Sequence, residues 1–324
     1  HGVIRDAFPF DLPYQIPEAR FREHMRYVSS NYRCVGLDEV CDHVQGIDRK
    51  TGKNIAITFD DGFANNLLRA LPILEEFSVP ATVFVTSGYI GKKRLLWPER
   101  LACALAETKV DKVAIGESVF NLRTPVEKGS AYRSMTQHCK ALSTLAIERM
   151  LDAVFSGPDP VPADQDDSIC DDLRLLDWDE LETLARHELI SVGSHTVHHH
   201  RLSQIEADDA IMEIDSSRRA LEYRLGCINY FAYPFGGFGD DFDAMHVELV
   251  RSSGYQAAFA IGPGGAFGGC DIFRIPRRNI TSELTTSDLD YLLSGGGSFA
   301  DAAGAKLIAS ALISGVVRRE GETT

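Results

Sequence analysis

The chain of 324 residues is 44% hydrophobic and 25% charged, with 47 acidic against 33 basic side chains and a formal charge of −14. These proportions suit a folded globular protein and exclude a disordered or fibrous one. The negative balance repels polyanions, so nucleic acid is not expected as a partner, and no apolar run reaches the roughly 18 to 20 residues of a membrane-spanning helix.

Helical periodicity is expected over residues 17–32, where Phe21, Met25, Tyr27 and Val28 punctuate charged positions, and again over 37–44. The compact apolar run Asn54-Ile-Ala-Ile-Thr-Phe59 reads as a buried strand that ends abruptly at Asp60-Asp61-Gly62. Helix over 65–77, strand over 81–86 and helix over 98–107 follow. Further on come strand 189–193, helix 203–225, strand 229–232, helix 240–253 and short strands at 256–260 and 273–275. Strands alternating with helices imply a mostly parallel sheet, and at this length the choice lies between a β/α barrel and an open doubly wound sheet. Neither GxGxxG nor GxxxxGK[ST] is present to favour a nucleotide-binding open sheet.

Between about residues 107 and 175 the alternation lapses into a polar stretch with Ser156-Gly-Pro-Asp-Pro-Val-Pro162 and Asp164-Gln-Asp-Asp167, read as an insertion within a single domain, partly loop at an exposed rim. A Gly-rich loop spans 262–269, and a C-terminal helix is expected over about 298–318. Seven cysteines, an odd number without a CxxC pair, argue against a disulfide framework or a structural zinc site. Free thiols in a reducing compartment, hence a cytoplasmic location, are the expectation, with any signal peptide upstream of His1.

Chemistry concentrates in two places. His195-Thr-Val-His-His199 directly follows a strand, and imidazoles four residues apart on a helical turn would face one metal ion; His198 and His200 are expected to face solvent or support the site from behind. Asp60 and Asp61 stand at the end of another strand, and in a barrel the strand ends converge on one face. Taken alone, Asp before Gly at such a turn also reads as a helix N-cap. Together with the histidines, one carboxylate completes a two-His, one-Asp set that leaves positions open for water and substrate. The adjacent Asp could then serve as base on a metal-activated water.

Thr58-Phe-Asp-Asp-Gly62, Ser194-His-Thr-Val-His-His199 and Phe231-Ala-Tyr-Pro-Phe-Gly236 resemble the successive motifs of the polysaccharide deacetylase (NodB-homology) superfamily. Weaker echoes are Ala81-Thr-Val-Phe-Val85, Leu96-Trp-Pro98, Leu176-Asp-Trp-Asp-Glu-Leu181 and Phe273-Arg-Ile-Pro-Arg277. The resemblance implies an α/β fold, a distorted (β/α)7-type barrel with a mixed insertion, and a metal-dependent hydrolase that removes acetyl groups from N-acetylated sugars. It implies Asp60 as general base and Asp61, His195 and His199 as ligands of one divalent ion, zinc first, with Co, Ni, Mn or Fe also compatible with the donors. It further implies Phe235 as the residue whose backbone N–H holds the oxyanion, Pro234 and Gly236 as shapers of that loop, and Arg277 as partner of the base.

The usual carboxy-terminal histidine of the family is missing, since no histidine follows His246. A branch with the Phe-Ala-Tyr-Pro motif, the exopolysaccharide N-deacetylases, takes its acid from an amino-terminal strand. His1-Gly-Val-Ile4 resembles the remainder of that strand, which implies His1 as general acid. Trp97, Trp178, Tyr233 and Phe238 are candidates for stacking on sugar rings, with a place in the core as the competing reading. The alternatives in function are hydrolysis of a small non-sugar amide or ureide, and a catalytically silent carbohydrate-binding relative.

Overall fold

A computed structural model describes residues 1–5, 8–47, 52–115, 118–139, 142–155, 171–293 and 311–314. Within it the chain divides into two compact units, one of His1–Ile4, Pro13–Gly91 and Leu175–Thr324, the other of Arg5–Leu12 and Lys92–Arg174.

In chain order the elements are β1 (Gly2–Ile4), β2 (Gln15–Pro17), α1 (Glu18–Asn31), β3 (Arg33–Cys34), α2 (Leu37–Val44) and β4 (Asn54–Phe59). A π-turn over Asn66–Ala70 leads into α3 (Leu71–Phe77), then β5 (Ala81–Val85), α4 (Trp97–Glu107), β6 (Lys112–Ile115), β7 (Ser118–Asn121), α5 (Pro125–Cys139) and α6 (Thr144–Phe155). After these come α7 (Trp178–Ala185), β8 (Ile190–Ser194), α8 (Ala207–Leu225), β9 (Tyr230–Gly237), α9 (Ala244–Ser252), β10 (Ala257–Ile261), β11 (Ile275–Ile280), α10 (Thr286–Leu293) and β12 (Ala311–Ser314).

In the first unit seven parallel strands run β3-β4-β5-β8-β9-β10-β11, and β12 pairs antiparallel with both β11 and β4. This is the expected distorted (β/α)7-type barrel. Strands β4 and β5 are buried along their whole length, which is why they read as continuous apolar runs rather than alternating ones. Phe21, Met25 and Val28 of α1, together with Ile73 and Leu74 of α3, pack on the barrel strands in one core, so the helical period of the sequence corresponds to a buried stripe. Asp177 caps α7 by accepting the Glu180 N–H at 2.8 Å while Glu180 accepts from Asp177, a capping box that fixes where that helix starts.

Several expectations differ from the structure; the helices expected from 203 and 240 start at Ala207 and Ala244. The strand expected over 229–232 extends to Gly237, because the Tyr-Pro-Phe-Gly-Gly segment continues β9 along the neighbouring strand after a register shift between Phe259 and Ile261. The last parallel strand starts at Ile275 instead of 273. Of the expected C-terminal helix, Ala311–Ser314 is a strand, and the remaining residues of 298–318 lie outside the described ones.

The longer segment of the second unit starts at Lys92, so it includes α4, which sequence periodicity places before the insertion. It is more regular than the expected partly looped stretch: a β6–β7 hairpin and the helices α4, α5 and α6. Arg100 ties α4 to α6 through Glu148 at 2.5 Å and Asp152, while Phe10 packs on Tyr132 at 5.8 Å between ring centres. The Pro- and Asp-rich segments at 156–162 and 164–167 lie outside the described residues. Cys103 on α4 is disulfide-bonded, whereas Cys34, Cys41, Cys139, Cys227 and Cys270 are free thiols. The argument from uniformly free thiols to a reducing compartment therefore does not stand. Among the described residues no helix is long and apolar enough to cross a membrane.

Candidate active site

The carboxyl ends of β4, β8 and β9, with the middle of β11, supply the site. Asp60 and Asp61 immediately follow β4 and are 3% and 2% exposed. Arg277, the third residue of β11 and fully buried, reaches across to Asp60 with both guanidinium nitrogens, Nη1 to Oδ1 at 2.8 Å and Nη2 to Oδ2 at 3.0 Å. The same Nη1 donates to Thr58 Oγ1 at 3.1 Å, so a residue of the strand itself helps aim the guanidinium. Burial opposes ionisation of Asp60 more than any other single influence. Arg277, His195 and His1 together outweigh it and hold the carboxyl below the ordinary carboxylate range.

The two imidazoles lie in an irregular loop, not on the helical turn that their spacing of four suggested. Thr196 and His199 both have left-handed backbone, φ +65° and +57°, and these reversals bring the two rings to 5.0 Å between centres. Of the five non-glycine residues with positive φ among those described, Asp61, Thr196, His199 and Phe235 are all at this site, with only Ser78 elsewhere. Strain concentrated in this way marks a place where the backbone serves chemistry.

The loop is held from several sides. The buried carboxylate of Glu213, on α8, accepts the Val197 and His198 N–H groups on Oε2 at 3.0 and 2.7 Å, and its Oε1 lies 2.6 Å from His198 Nδ1. One turn further along α8, Ser217 accepts from Ser194 Oγ at 2.8 Å. Thr196 Oγ1 accepts the His199 N–H at 3.0 Å. Burial works against the Glu213 charge, yet hydrogen bonds from His198 hold its carboxyl below the usual range.

His195 Nδ1 lies 2.8 Å from the Ala232 carbonyl oxygen, which can only accept, so Nδ1 carries the proton and Nε2 is left as a ligand atom. Nε2 of His195 and of His199 lie 3.6 and 3.3 Å from Asp61 Oδ1. Burial lowers the pKa of both rings despite the neighbouring carboxylates, His199 to about 4, so both are neutral near pH 7. Donor atoms of Asp61, His195 and His199 all fall within 4.8 Å of one another. Asp61 Oδ1 and both ring nitrogens of His199 are buried without a hydrogen-bond partner. Buried polar atoms left unmatched in a two-imidazole, one-carboxylate set fit a divalent transition-metal ion.

His1 sits beside these residues. Strand β1 pairs with β2, Val3 N–H donates to Asn65 Oδ1 at 3.2 Å, and Asn66 Nδ2 donates to the His1 carbonyl at 3.0 Å. The His1 ring rests edge-on against Tyr14 and Phe63, and its Nδ1 contacts Asp61 Oδ2. Phe235, φ +62°, places its ring 4.8 Å from that of His199, with the Arg201 guanidinium 5.0 Å from the centre of the Phe235 ring. Arg201 Nε pairs with Asp241 Oδ1 at 2.8 Å, and Asp241 Oδ2 accepts the Gly237 N–H at 2.8 Å, so the loop after β8 is tied to the turn after β9. Gly236, φ +78°, is required as glycine: a Cβ there would stand 2.6 Å from Ile261 Cγ1 and 2.9 Å from its backbone nitrogen.

The structure thus brings together Asp60, Asp61, His195, His199, His1, Phe235 and Arg277, with Pro234 buried in β9 next to Phe235. It does not give the expected stacking role to Tyr233, which is 1% exposed, stacked on Phe242 and donating from its hydroxyl to the Phe273 carbonyl at 3.0 Å. Alternation along β9 turns Tyr233 into the core with Phe231. Trp97 is buried at the start of α4 in the second unit, and Trp178 is half-buried beneath the Arg224 guanidinium. Phe238 is 46% exposed with Arg274 over its ring. Glu213, Ser217, Arg201 and Asp241 escape sequence reasoning, because each meets its partner only through the fold.

A family described as polysaccharide deacetylase matches residues 48–258. YxkH from Bacillus subtilis (strain 168), named for the same class of enzyme, is 30% identical over 88 residues; the match spans 27% of this chain and about a third, 32%, of that protein. Among solved structures, the Streptococcus pyogenes deacetylase PplD in complex with acetate superposes with a TM-score of 0.58 at 15% identity, over 90% of this chain and 94% of that one. IcaB from Ammonifex degensii gives 0.54 at 17% identity, over 89% and 97%. At these identities the structural likeness shows the fold.

Proposed function

The chain belongs to the polysaccharide deacetylase family, and from that premise we propose that it is a metal-dependent hydrolase that removes acetyl groups from N-acetylated sugars. The observation that carries the reading is the pairing of Asp60 with Arg277 directly beside the cluster of Asp61, His195 and His199. A carboxylate kept ionised but held off the ligand cluster is what a general base requires.

Asp61, His195 and His199 would hold the ion, zinc by preference for this donor set. When bound, the ion supplies Lewis acidity toward the amide carbonyl and lowers the pKa of water. The residues of the chain do the rest. Asp60 accepts a proton from the water that adds to the carbonyl carbon, with Arg277 fixing the carboxylate in place. The Phe235 N–H offers a donor to the oxygen that becomes negative. His1, beside Asp61, would deliver a proton to the departing sugar nitrogen as the carbon–nitrogen bond breaks. Acetate and a free amine are the products.

The test is acetate release by the zinc-loaded protein from N-acetylglucosamine oligomers, peptidoglycan fragments and small O-acetyl esters. Acetate from an N-acetylated sugar supports the reading. Turnover of a cyclic amide or ureide without acetate, and silence on every sugar, would replace it with the small-amide reading.

A further inference from the structure

A second cluster of metal-ligating groups lies on the outer side of the same loop and shares no donor with the first: His198, His200 and Glu213, whose donor atoms all fall within 4.8 Å of one another. Glu213 is the fixed member. It is 7% exposed, and its Oε2 is tied down by the Val197 and His198 N–H groups, so Oε1 is the oxygen turned to the two rings. His198 Nδ1 stands 2.6 Å from Oε1 and His200 Nε2 stands 4.0 Å from it, with 5.7 Å between the ring centres.

Ligand bonds of about 2.0 to 2.1 Å in a tetrahedron set neighbouring donors about 3.3 Å apart, and the two observed spacings straddle that value. Small rotations of two partly exposed rings, 52% and 28% accessible, reach it without moving the carboxylate. The buried anion is already ordered by the backbone, so a cation gains its charge without having to fix it first. Asp209, one turn before Glu213 on α8, and the net charge of −14 add favourable potential. Imidazole with carboxylate selects zinc, copper or nickel over calcium or magnesium.

We propose that His198, His200 and Glu213 form a second transition-metal site, separate from the Asp61–His195–His199 cluster and open to solvent. Because Glu213 also carries the loop, an ion there fastens the His198–His200 side of the segment whose other histidines are His195 and His199.

The experiment is equilibrium dialysis of the full chain against zinc buffered at micromolar free concentration, followed by metal analysis. Two ions per chain are expected. Replacing both His198→Ala and His200→Ala should leave one, Asp61→Asn alone should leave one, and the triple variant none. One ion in the unaltered chain, two retained in the His198→Ala, His200→Ala protein, or a second ion taken up only at millimolar zinc, an adventitious ion only, would overturn the site. Should the double variant misfold, anomalous diffraction at the zinc edge from the unaltered protein decides: a peak between these three side chains supports the proposal, and no peak there refutes it. Failure of the inner site reads differently, as Asp61→Asn without effect on metal content.

Discussion

The end of β4 and the loop after β8 both deliver candidate metal ligands to one place, by opposite means. At β4 the strand does the work: Asp60 and Asp61 continue a fully buried strand, and one buried cation across the barrel, Arg277, fixes the Asp60 carboxylate. After β8 the backbone leaves regular structure, turns twice through left-handed conformations, and is held from outside by a carboxylate and a hydroxyl on α8. A strand end is positioned by the sheet it belongs to. An irregular loop is only as well placed as the side chains that grip it.

The comparison can be broken first at its chemical end. Asp60→Asn should keep the metal and lower turnover by about 10²- to 10⁴-fold, the usual worth of a positioned base. Steady-state acetate release alongside metal analysis reads both, and an active variant would remove Asp60 from the base role. Arg277→Met should destabilise the fold by about 3 to 5 kcal/mol, because the Asp60 charge would stay buried without its partner. Denaturant unfolding checks this, and a loss near zero would mean that the barrel does not depend on the pair. At the loop, Glu213→Gln should leave the fold largely intact and weaken inner-site metal binding by about 10- to 100-fold, the range for supports of metal ligands. Competition with a chelator measures it, and unchanged affinity would mean that the loop holds itself.

The smallest effect separates the two regions by pH. His199 is depressed from its ordinary 6.5 to about 4, so between those values the unfolded chain binds the extra proton and the folded one does not. The metal-free protein should therefore lose stability as pH falls from about 6.5 toward about 4, with His195 acting in the same direction. Asp61→Asn should keep that slope, since the largest cause of the His199 shift is burial rather than the carboxylate. Thermal unfolding at several pH values checks it, and a flat profile would show the imidazoles to be protonated already.

The same contrast explains what could be read in advance. The apolar run before Asp60, the Asp-Asp-Gly ending and the two histidines four apart are local patterns, and they point to the residues that meet in the barrel. The spacing of four suggests a helical turn, but the histidines meet because the loop turns through left-handed φ at Thr196 and His199 and is gripped between them by Glu213 of α8 through the Val197 and His198 N–H groups. Tyr233 departs from its expected place for a related reason. Its aromatic ring fits a sugar face equally well on paper, and only the strand's alternation turns it inward against Phe242. The helices α5 and α6 escaped notice because their polar faces obscure an apolar stripe that includes Tyr132, Met135 and Leu151.

Gly88 shows what such a loop asks of residues that carry no chemistry. Its N–H donates to the Val197 carbonyl at 2.9 Å, and a Cβ on it would lie 2.5 Å from that same oxygen. Any side chain there must push away the segment joining His195 to His199. Sequence drift at this position is therefore closed off as firmly as at a ligand, and a survey of tolerated substitutions would rank a glycine without a side chain among the residues the enzyme can least do without.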